Sequence, residues 1–376
     1  MKTFAVEKPV KKMILQIEPW IDHEELEQLK RVVDSTFVVE HILTKEFEEL
    51  TRELTGAKYA IAMCNGTAAL YCCLKALNIG PGDEVIVPNL TFIATANAVI
   101  MAGAKPVFCD VDENTFCLDA AEVKKLITKS TKAIMPVHLY GQSADMIKMK
   151  EVAKEFNLKV IEDAAQGVGV TFNNKHVGTF GDCGVLSYYG NKTITCGEGG
   201  IILTDDEHLA NTCYRLKNHG RSKKGIFIHE DIGFNFSFTE MQAAIGISQM
   251  KKFDRIKEKK KQIFEKYIAG LKNIKGFSPV YYDPRCNPVY WFTSFLSDNV
   301  EELTAYLSQN NIQTRRFFYP LHLQPCYADL INSKKQFPVS EKIFNNGISL
   351  PSSYNLTNED QDYVIEKTIE FYENRN

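Results

Sequence analysis

The stretch GDEVIVPNLTFIATANAVIMAGAKPVFCDV, residues 82–111, decides the fold class of this chain. Its short apolar runs EVIVP (84–88) and KPVFCDV (105–111) are typical of strands that helices cover on both faces. Between these runs, the segment from Thr91 to Met101, closed by Gly103, has a helical pattern. A strand, a helix and a second strand in this order predict a crossover connection within a parallel sheet.

The same alternation of strands and helices extends from about residue 45 to residue 250. Further strands are predicted at KAIMPV (132–137), LKVIED (158–163), GVLSYY (184–189) and GIILTD (200–205). Helices are predicted at TAALYCCLKAL, directly after Asn65-Gly66, and at MIKMKEVAKEF. We therefore expect an α/β domain that is built on a mainly parallel sheet.

A domain boundary is predicted after residue 255. Thr239 and Gln242 have the spacing of a capping box that opens a helix, and a Lys/Glu-rich helix is predicted to lead away from Phe253. The remaining residues change to a mixed pattern with Pro-rich corners. The interpretation is a large α/β domain with an N-terminal arm over residues 1–255 and a smaller α+β domain over residues 256–376.

The composition narrows the class of protein. Of the 376 residues, 44% are hydrophobic and 24% are charged, which is typical of a soluble globular protein. The formal net charge of -3 argues against nucleic acid as the main ligand. No secretory signal or membrane-spanning stretch is recognisable, so we expect a cytoplasmic protein without membrane attachment. The ten cysteines form no CxxC pair, and no metal site is predicted.

Two polar residues follow predicted strands, where ligands bind in an open α/β sheet. Asp163 ends the run LKVIED and, taken alone, is a candidate helix cap. Lys192 lies between Asn191 and Thr193 in SYYGNKTITCGEGG (187–200) and, taken alone, could be a solvent-exposed lysine. The functional alternative is a Schiff-base lysine, whose ammonium pKa must be lowered by burial or a nearby cation so that the free amine can attack a carbonyl.

The motif NGTAAL indicates a possible phosphate site. Gly66 and Thr67 stand where a helix starts, so free backbone N–H groups and the helix dipole would favour a phosphate there. The alternative is an ordinary helix cap formed by Thr67. Ser187 and Asn235 are further candidates for phosphate contacts, because they carry a hydroxyl and an amide in segments with strand-end or loop character.

Taken together, the ordered motifs resemble a known family. NGTAAL, GDEVIVPNLTFIATANAV, PVHLYGQ, VIEDAAQ, SYYGNKTITCGEGG and IGFNFSFTEMQAAIG are similar in sequence and order to motifs of the DegT/DnrJ/EryC1/StrS sugar aminotransferases. The resemblance runs from about residue 40 to 250, and TRRFFYPLHLQPCY (314–327) resembles the small-domain segment of the same family. It implies an aspartate-aminotransferase-like fold, pyridoxal phosphate (PLP) fold type I.

The resemblance also implies roles around the ring of a pyridoxal 5'-phosphate cofactor. Lys192 matches the Schiff-base lysine, and Asp163 matches the carboxylate that pairs with the pyridine nitrogen. Gln166 matches the residue beside the 3-hydroxyl, and Phe92 matches the aromatic position over the ring.

Further positions match contacts to the cofactor phosphate. Gly66, Thr67 and Ser187 match contacts within one chain. Asn235 matches a residue that reaches the phosphate from the neighbouring subunit, so the resemblance implies a homodimer with shared active sites.

The substrates follow from the same resemblance. The amino donor would be L-glutamate and the acceptor a nucleotide-linked keto-sugar. The segments YGNKTITCGEGG, FFYPLHLQPCY and NPVYWF (287–292) look most like enzymes that aminate C4 of a 4-keto-6-deoxyhexose and so form perosamine- or viosamine-type sugars. His322, Tyr319, Arg316 and His219 are candidate contacts to the sugar or the diphosphate. Packed aromatic side chains are the alternative for these positions, and His138 has the same ambiguity.

The sequence leaves some other functions open and argues against others. An aminotransferase of the same family acting on a 3-keto sugar is one, and a non-catalytic PLP-sensing regulator is another, although the region before residue 40 shows no basic helix-turn-helix. Dehydrating relatives carry histidine in place of the Schiff-base lysine, so Lys192 counts against that activity. A dinucleotide-dependent dehydrogenase would need GxGxxG in the first βα turn, which this chain lacks.

Overall fold

The computed structural model describes residues 13–222, 225–330 and 336–375. Its helices are α1 His23–Ser35, α2 Ile42–Thr55, α3 Gly66–Ala76, α4 Ala94–Met101, α5 Ala120–Leu126, α6 Met146–Phe156, α7 Glu207–Lys217, α8 Glu240–Leu271, α9 Val300–Gln309, α10 Pro338–Asn346 and α11 Asn358–Glu373. Its strands are β1 Tyr59–Met63, β2 Glu84–Pro88, β3 Lys105–Cys109, β4 Thr131–Ile134, β5 Lys159–Asp163, β6 Thr171–Phe172, β7 Lys175–His176, β8 Cys183–Ser187, β9 Gly200–Thr204, β10 Phe277–Pro279, β11 Cys286–Asn287, β12 Thr293–Ser297, β13 Arg315–Arg316 and β14 Gly347–Leu350.

The largest sheet has seven strands in the order β1-β9-β8-β5-β4-β2-β3. The four pairs from β3 through β2, β4 and β5 to β8 are parallel, whereas β9 runs antiparallel to both β8 and β1. Helices bury apolar residues against both faces of this sheet, which explains why its strands are continuous apolar runs. The predicted α/β class and the mainly parallel sheet are confirmed.

The strand positions agree with the sequence predictions, and the differences lie at element ends. EVIVP is β2 as predicted, but GVLSYY ends at Ser187, since the chain turns through Tyr189 into the segment that carries Lys192. The helix predicted from Thr91 begins at Ala94, and the preceding turn carries Thr91 and Phe92 along the cavity described below. Strand β1 was not predicted.

A second sheet, of four antiparallel strands in the order β10-β12-β14-β13, lies in the C-terminal part of the chain. It buries its own apolar cluster against α9 and α11. Helix α8 runs continuously for 32 residues from the predicted capping box of Thr239 and Gln242 through residue 255. The division into residues 1–255 and 256–376 therefore stays a prediction, with its boundary inside a helix. Among the described residues, no helix has the length and apolar character needed to cross a bilayer.

Candidate active site

A cavity of about 550 Å³ opens where strands β5 and β8 end and α3 begins. Its volume is within the usual range for small-molecule sites. The cavity brings together seven of the residues singled out from the sequence: Gly66, Thr67, Phe92, Asp163, Gln166, Ser187 and Lys192. It also contains residues that sequence reasoning missed, among them Trp291, Arg315 and Phe318 from the C-terminal part of the chain.

Asp163 presents a buried carboxylate to this cavity from the last position of β5. Thr95 Oγ1 donates to its Oδ2 at 2.7 Å, and the Ala165 N–H donates to its Oδ1 at 3.2 Å. Burial raises the pKa of Asp163 because it removes water from the charged carboxylate, although the two hydrogen bonds and the positive charge of Lys192 oppose this shift. In the described part of the chain, turns and the short strand β6 follow β5 directly, so the helix-cap alternative for Asp163 is wrong.

Lys192 faces the same cavity from the turn that follows β8. Its Nζ lies 4.1 Å from the centroid of the Trp291 ring. Burial lowers the pKa of Lys192 to about 8, while the negative charge of Asp163 opposes this shift and the positive charge of Arg315 adds to it. The lysine is thus half-buried and loses its proton at a lower pH than an ordinary lysine, and the solvent-exposed alternative does not describe it.

The start of α3 forms the third part of the site. Asn65 is the helix cap, because its side chain accepts from the Ala68 N–H at 2.9 Å. Thr67 does not fill that role, so the alternative of a Thr67 cap is wrong. The first amides of a helix have no partner within the helix, and Gly66 and Thr67 both line the cavity beside Ser187. This is the arrangement of an anion site at a helix N-terminus, with an added hydroxyl.

A glycine on the neighbouring strand makes this close approach possible. Gly200 in β9 pairs with Met63 and Ser187, directly beneath the start of α3. A Cβ atom at Gly200 would lie 2.6 Å from the carbonyl carbon of Asn65 and 2.8 Å from the nitrogen of Gly66. Gly200, the last glycine of CGEGG, therefore allows the helix start to approach the sheet.

Gln166 connects the site to the C-terminal part of the chain through Tyr140. The Tyr140 N–H donates to Gln166 Oε1 at 2.7 Å, and the Phe318 N–H donates to the Tyr140 hydroxyl at 3.0 Å. Tyr140 has left-handed backbone angles (φ 52, ψ 32), an uncommon conformation for a bulky residue. The exposed ring of Phe92 lies 5.9 Å from that of Phe318, so the two aromatic side chains flank the cavity.

The candidate substrate contacts do not line the cavity. The Arg316 guanidinium donates to the carbonyls of Phe344 and Gly347 at 2.9 and 3.3 Å. Arg315 lines the cavity instead, because neighbouring residues of a strand point to opposite faces. This corrects the sequence prediction by one residue. The motif TRRFFYP indicated the segment, but nothing in it distinguishes the two arginines.

The other predicted contacts also lie outside the cavity lining. His322 contacts Asn89 and Glu341, and Tyr319 packs its ring edge-on against Phe344. His219 is in the left-handed region (φ 59), where its N–H donates to the Phe234 carbonyl. Asn235 is exposed and does not line the cavity of its own chain. His138 is fully buried with its Nε2 2.9 Å from Glu162 Oε2, as the packed alternative proposed.

The donor set fits pyridoxal 5'-phosphate. An amine with a lowered pKa can bond to the aldehyde, and a buried carboxylate that pairs with no cation among the described residues suits a protonated ring nitrogen. The helix start beside Ser187 suits the phosphate. The fold and this site define the class of protein as a PLP-dependent enzyme.

Comparisons with known proteins give the family. The chain matches the DegT/DnrJ/EryC1/StrS aminotransferase family over residues 19–368, and it belongs to this family of PLP-dependent aminotransferases. It is similar to the GDP-perosamine synthase of Escherichia coli O157:H7, with 38% identity over 97% of this chain and 100% of the relative. It is also similar to the dTDP-3-amino-3,6-dideoxy-alpha-D-galactopyranose transaminase of Aneurinibacillus thermoaerophilus, with 37% identity over 91% and 94%.

A solved structure agrees with the fold. The S. venezuelae protein DesV is 32% identical to this chain and superposes with a TM-score of 0.90, over 93% of this chain and 95% of DesV. The predicted family, the aspartate-aminotransferase-like fold and the pyridoxal phosphate cofactor are confirmed.

Proposed function

We propose that this enzyme transfers an amino group from L-glutamate to the C4 ketone of a nucleotide-linked 4-keto-6-deoxyhexose. The products would be a 4-amino-4,6-dideoxy sugar nucleotide of the perosamine or viosamine type and 2-oxoglutarate. The observation that carries the proposal is one cavity in which Lys192, Asp163 and Arg315 converge. The similarity to a GDP-perosamine synthase supports the choice of acceptor.

Asp163 and Lys192 have separate roles in moving a proton during the reaction. When bound, pyridoxal phosphate supplies an electron sink that stabilises negative charge on the reacting substrate carbon. Asp163 keeps a proton on the ring nitrogen, because a carboxylate favours a cation beside it. Lys192 Nζ takes the proton from the substrate carbon and returns one as a general base and acid, a role that suits an amine whose pKa burial lowers.

Arg315 is proposed to bind an anionic part of the substrates. In the part of the chain that the structure describes, its guanidinium makes no hydrogen bond or ion pair, and its Cζ lies 5.1 Å from the centroid of the Phe292 ring. Both proposed substrates carry anions, the carboxylates of L-glutamate and the diphosphate of the nucleotide. A guanidinium binds either group with two parallel hydrogen bonds.

Replacing Arg315 is expected to weaken substrate binding. Arg315→Gln should raise KM for L-glutamate or for the nucleotide sugar by roughly 10- to 100-fold, the range for a lost hydrogen bond to a charged group. Single-turnover kinetics of the two half-reactions distinguish the two ligands. The matched control is Arg316→Gln, which should lower the melting temperature through its lost carbonyl contacts but leave both KM values unchanged. Equal KM values in Arg315→Gln and the unmodified enzyme would contradict this role.

The cofactor phosphate is proposed to lie against Gly66, Thr67 and Ser187. Ser187→Ala removes one donor to a dianion, so we expect the dissociation constant for pyridoxal phosphate to rise roughly 10- to 100-fold. Equilibrium dialysis of the cofactor-free protein measures it. Ser278→Ala, at an exposed position of β10, is the control and should bind the cofactor normally. Unchanged affinity in Ser187→Ala would place the phosphate elsewhere.

We propose a cytoplasmic homodimer in which Asn235 of one chain contributes to the phosphate site of the other. Exposure of Asn235 is consistent with a role outside its own chain's cavity. Mixing an Asn235→Ala protein with an inactive Lys192→Ala protein tests the idea. Each proposed site combines Lys192 of one chain with Asn235 of the other. In a mixed dimer, one site would therefore carry both substitutions and the other site neither, so activity should reappear on mixing. No recovery from a proven mixed dimer would exclude sharing through Asn235.

The decisive experiment is an assay with L-glutamate and a panel of GDP-, dTDP- and UDP-linked keto-sugars, with mass spectrometry of the amino-sugar and of 2-oxoglutarate. Turnover of one 4-keto sugar supports the proposal and identifies the nucleotide. The second candidate is amination at C3, which the similarity to a dTDP-3-amino sugar transaminase favours. Turnover of 3-keto sugars alone would establish that activity and refute the C4 proposal.

A further inference from the structure

The amine of Lys192 rests against an aromatic face. Its Nζ lies 4.1 Å from the Trp291 ring centroid, and no hydrogen bond or ion pair to this Nζ is found within residues 13–222, 225–330 and 336–375. Trp291 comes from the loop before β12, a hundred residues away in the chain. The contact therefore depends on how the C-terminal segment packs against the large sheet.

Several contacts fix the position of Trp291. Its Nε1–H donates to the carbonyl of Asn191 at 2.7 Å, so the ring is bonded to the residue that precedes Lys192. The ring stacks on Phe292 with centroids 3.8 Å apart, and the Trp291 carbonyl accepts from Lys260 Nζ at 3.0 Å. The side chain is only 2% exposed. Such a ring holds its place whether or not the lysine contacts it.

An indole face attracts an ammonium group and has no comparable attraction for a neutral amine. We propose that the Trp291 face is the docking position of the Lys192 ammonium whenever this amine is not covalently engaged, and that Trp291 thereby governs how readily Lys192 holds its proton. The inference rests on the proposed role of Lys192 and deepens it. Trp291 is then a positioning residue for the proton-transferring group.

The surroundings of Lys192 explain why such a face is useful. Burial and Arg315 lower the pKa of Lys192, and only Asp163 opposes them with a negative charge. Asp163 is also the proposed partner of the ring nitrogen, so its charge serves another cation once cofactor is bound. Trp291 stabilises the ammonium without adding a second carboxylate that would compete for that nitrogen. Other titratable groups nearby are Glu198 and Tyr189 in the cavity wall, Tyr140, whose ring stacks with the indole at 6.5 Å, and Lys260, which donates to the Trp291 carbonyl.

Fluorination of Trp291 tests the proposal without changing the shape of the ring. The chain has two tryptophans, and Trp20 stacks on Tyr354 with centroids 3.8 Å apart, so Trp20→Phe keeps an aromatic ring at that position. In this background, 5-fluoro- or 5,7-difluorotryptophan labels position 291 alone. Fluorine withdraws electron density from the ring face and so weakens its attraction for a cation. The full chain is loaded with pyridoxamine phosphate, the cofactor form that leaves the Lys192 amine free.

The fluorine NMR shift of the labelled ring, followed against pH, reports the protonation of Lys192. The apparent pKa should fall from the monofluoro to the difluoro protein, by a few tenths up to about 1 unit. At saturating L-glutamate, where Lys192 is no longer bonded to the cofactor, the acidic limb of the pH profile for the half-reaction should move in the same direction. Lys192→Met should abolish the titration and so assign it to Lys192 instead of Lys260.

The outcomes separate the role of Trp291 from the identity of the acceptor sugar. Equal pKa values in the two fluorinated proteins, or a titration that survives in Lys192→Met, overturn the role of Trp291. A pKa that follows fluorination supports that role even if no keto-sugar in the panel is turned over, in which case only the proposed acceptor fails. Loss of transamination in the unlabelled Trp20→Phe enzyme is not expected, because Trp20 lies outside the cavity lining.

Discussion

Lys192→Ala is expected to fold normally and to lose transamination by about a thousand-fold or more, the scale of removing a nucleophile that also acts as general base and acid. Among the described residues, Lys192 is the only lysine that lines the cavity, where its Nζ lies 4.1 Å from the Trp291 ring centroid. Borohydride treatment of the holoenzyme should fix cofactor mass on the peptide that contains Lys192, and the variant should show no such label. Amino-sugar formation and peptide mass spectrometry measure the two effects.

Folding and cofactor pocket should survive this change. The phosphate-binding region proposed at Gly66, Thr67 and Ser187 is untouched, so Lys192→Ala should still bind pyridoxal phosphate reversibly. Lys261→Ala, at an exposed position of α8, is the matched control and should retain both label and activity. Full activity in Lys192→Ala would show that another group moves the proton, and the assignment of the site would be wrong.

Asp163→Ala should retain a folded chain and some cofactor but lose activity by roughly 100- to 1,000-fold, the scale observed when a preorganised electrostatic group is removed. Without the carboxylate the ring nitrogen loses its anionic partner, and the negative charge that develops on the substrate carbon is less well stabilised. Steady-state rates and the cofactor absorbance spectrum against pH measure the effect.

Asp163→Asn distinguishes charge from shape. The amide keeps the size of the side chain and can still accept from Thr95 Oγ1, which now lies 2.7 Å from the carboxylate. If charge is what matters, Asp163→Asn should be nearly as inactive as Asp163→Ala. An active Asn variant would show that the ring nitrogen needs no anionic partner in this enzyme.

Local sequence patterns could locate those site residues that lie at a predicted strand end or at the start of a predicted helix. Asp163 ends a predicted strand and Gly66 opens a predicted helix, so local patterns predict that both lie at the ligand-binding edge of the sheet. Ser187 was placed inside the predicted strand GVLSYY, and only the structure shows that this strand ends there. At the helix start, the sequence did not distinguish a cap at Thr67 from the actual cap at Asn65, because both residue types accept hydrogen bonds from helix amides.

The sequence by itself determined the fold class, the family and the cofactor, and it singled out Lys192 and Asp163 as candidate site residues, because apolar periodicity and ordered motifs are local properties of the chain. Only the tertiary structure decided that Arg315, and not Arg316, faces the cavity, since the pairing of β13 with β14 fixes which face each residue takes. The tertiary structure likewise decided that the Trp291 ring contacts Lys192 and that the pKa of this lysine is lowered. These depend on burial and on contacts between segments far apart in sequence, which no local pattern records.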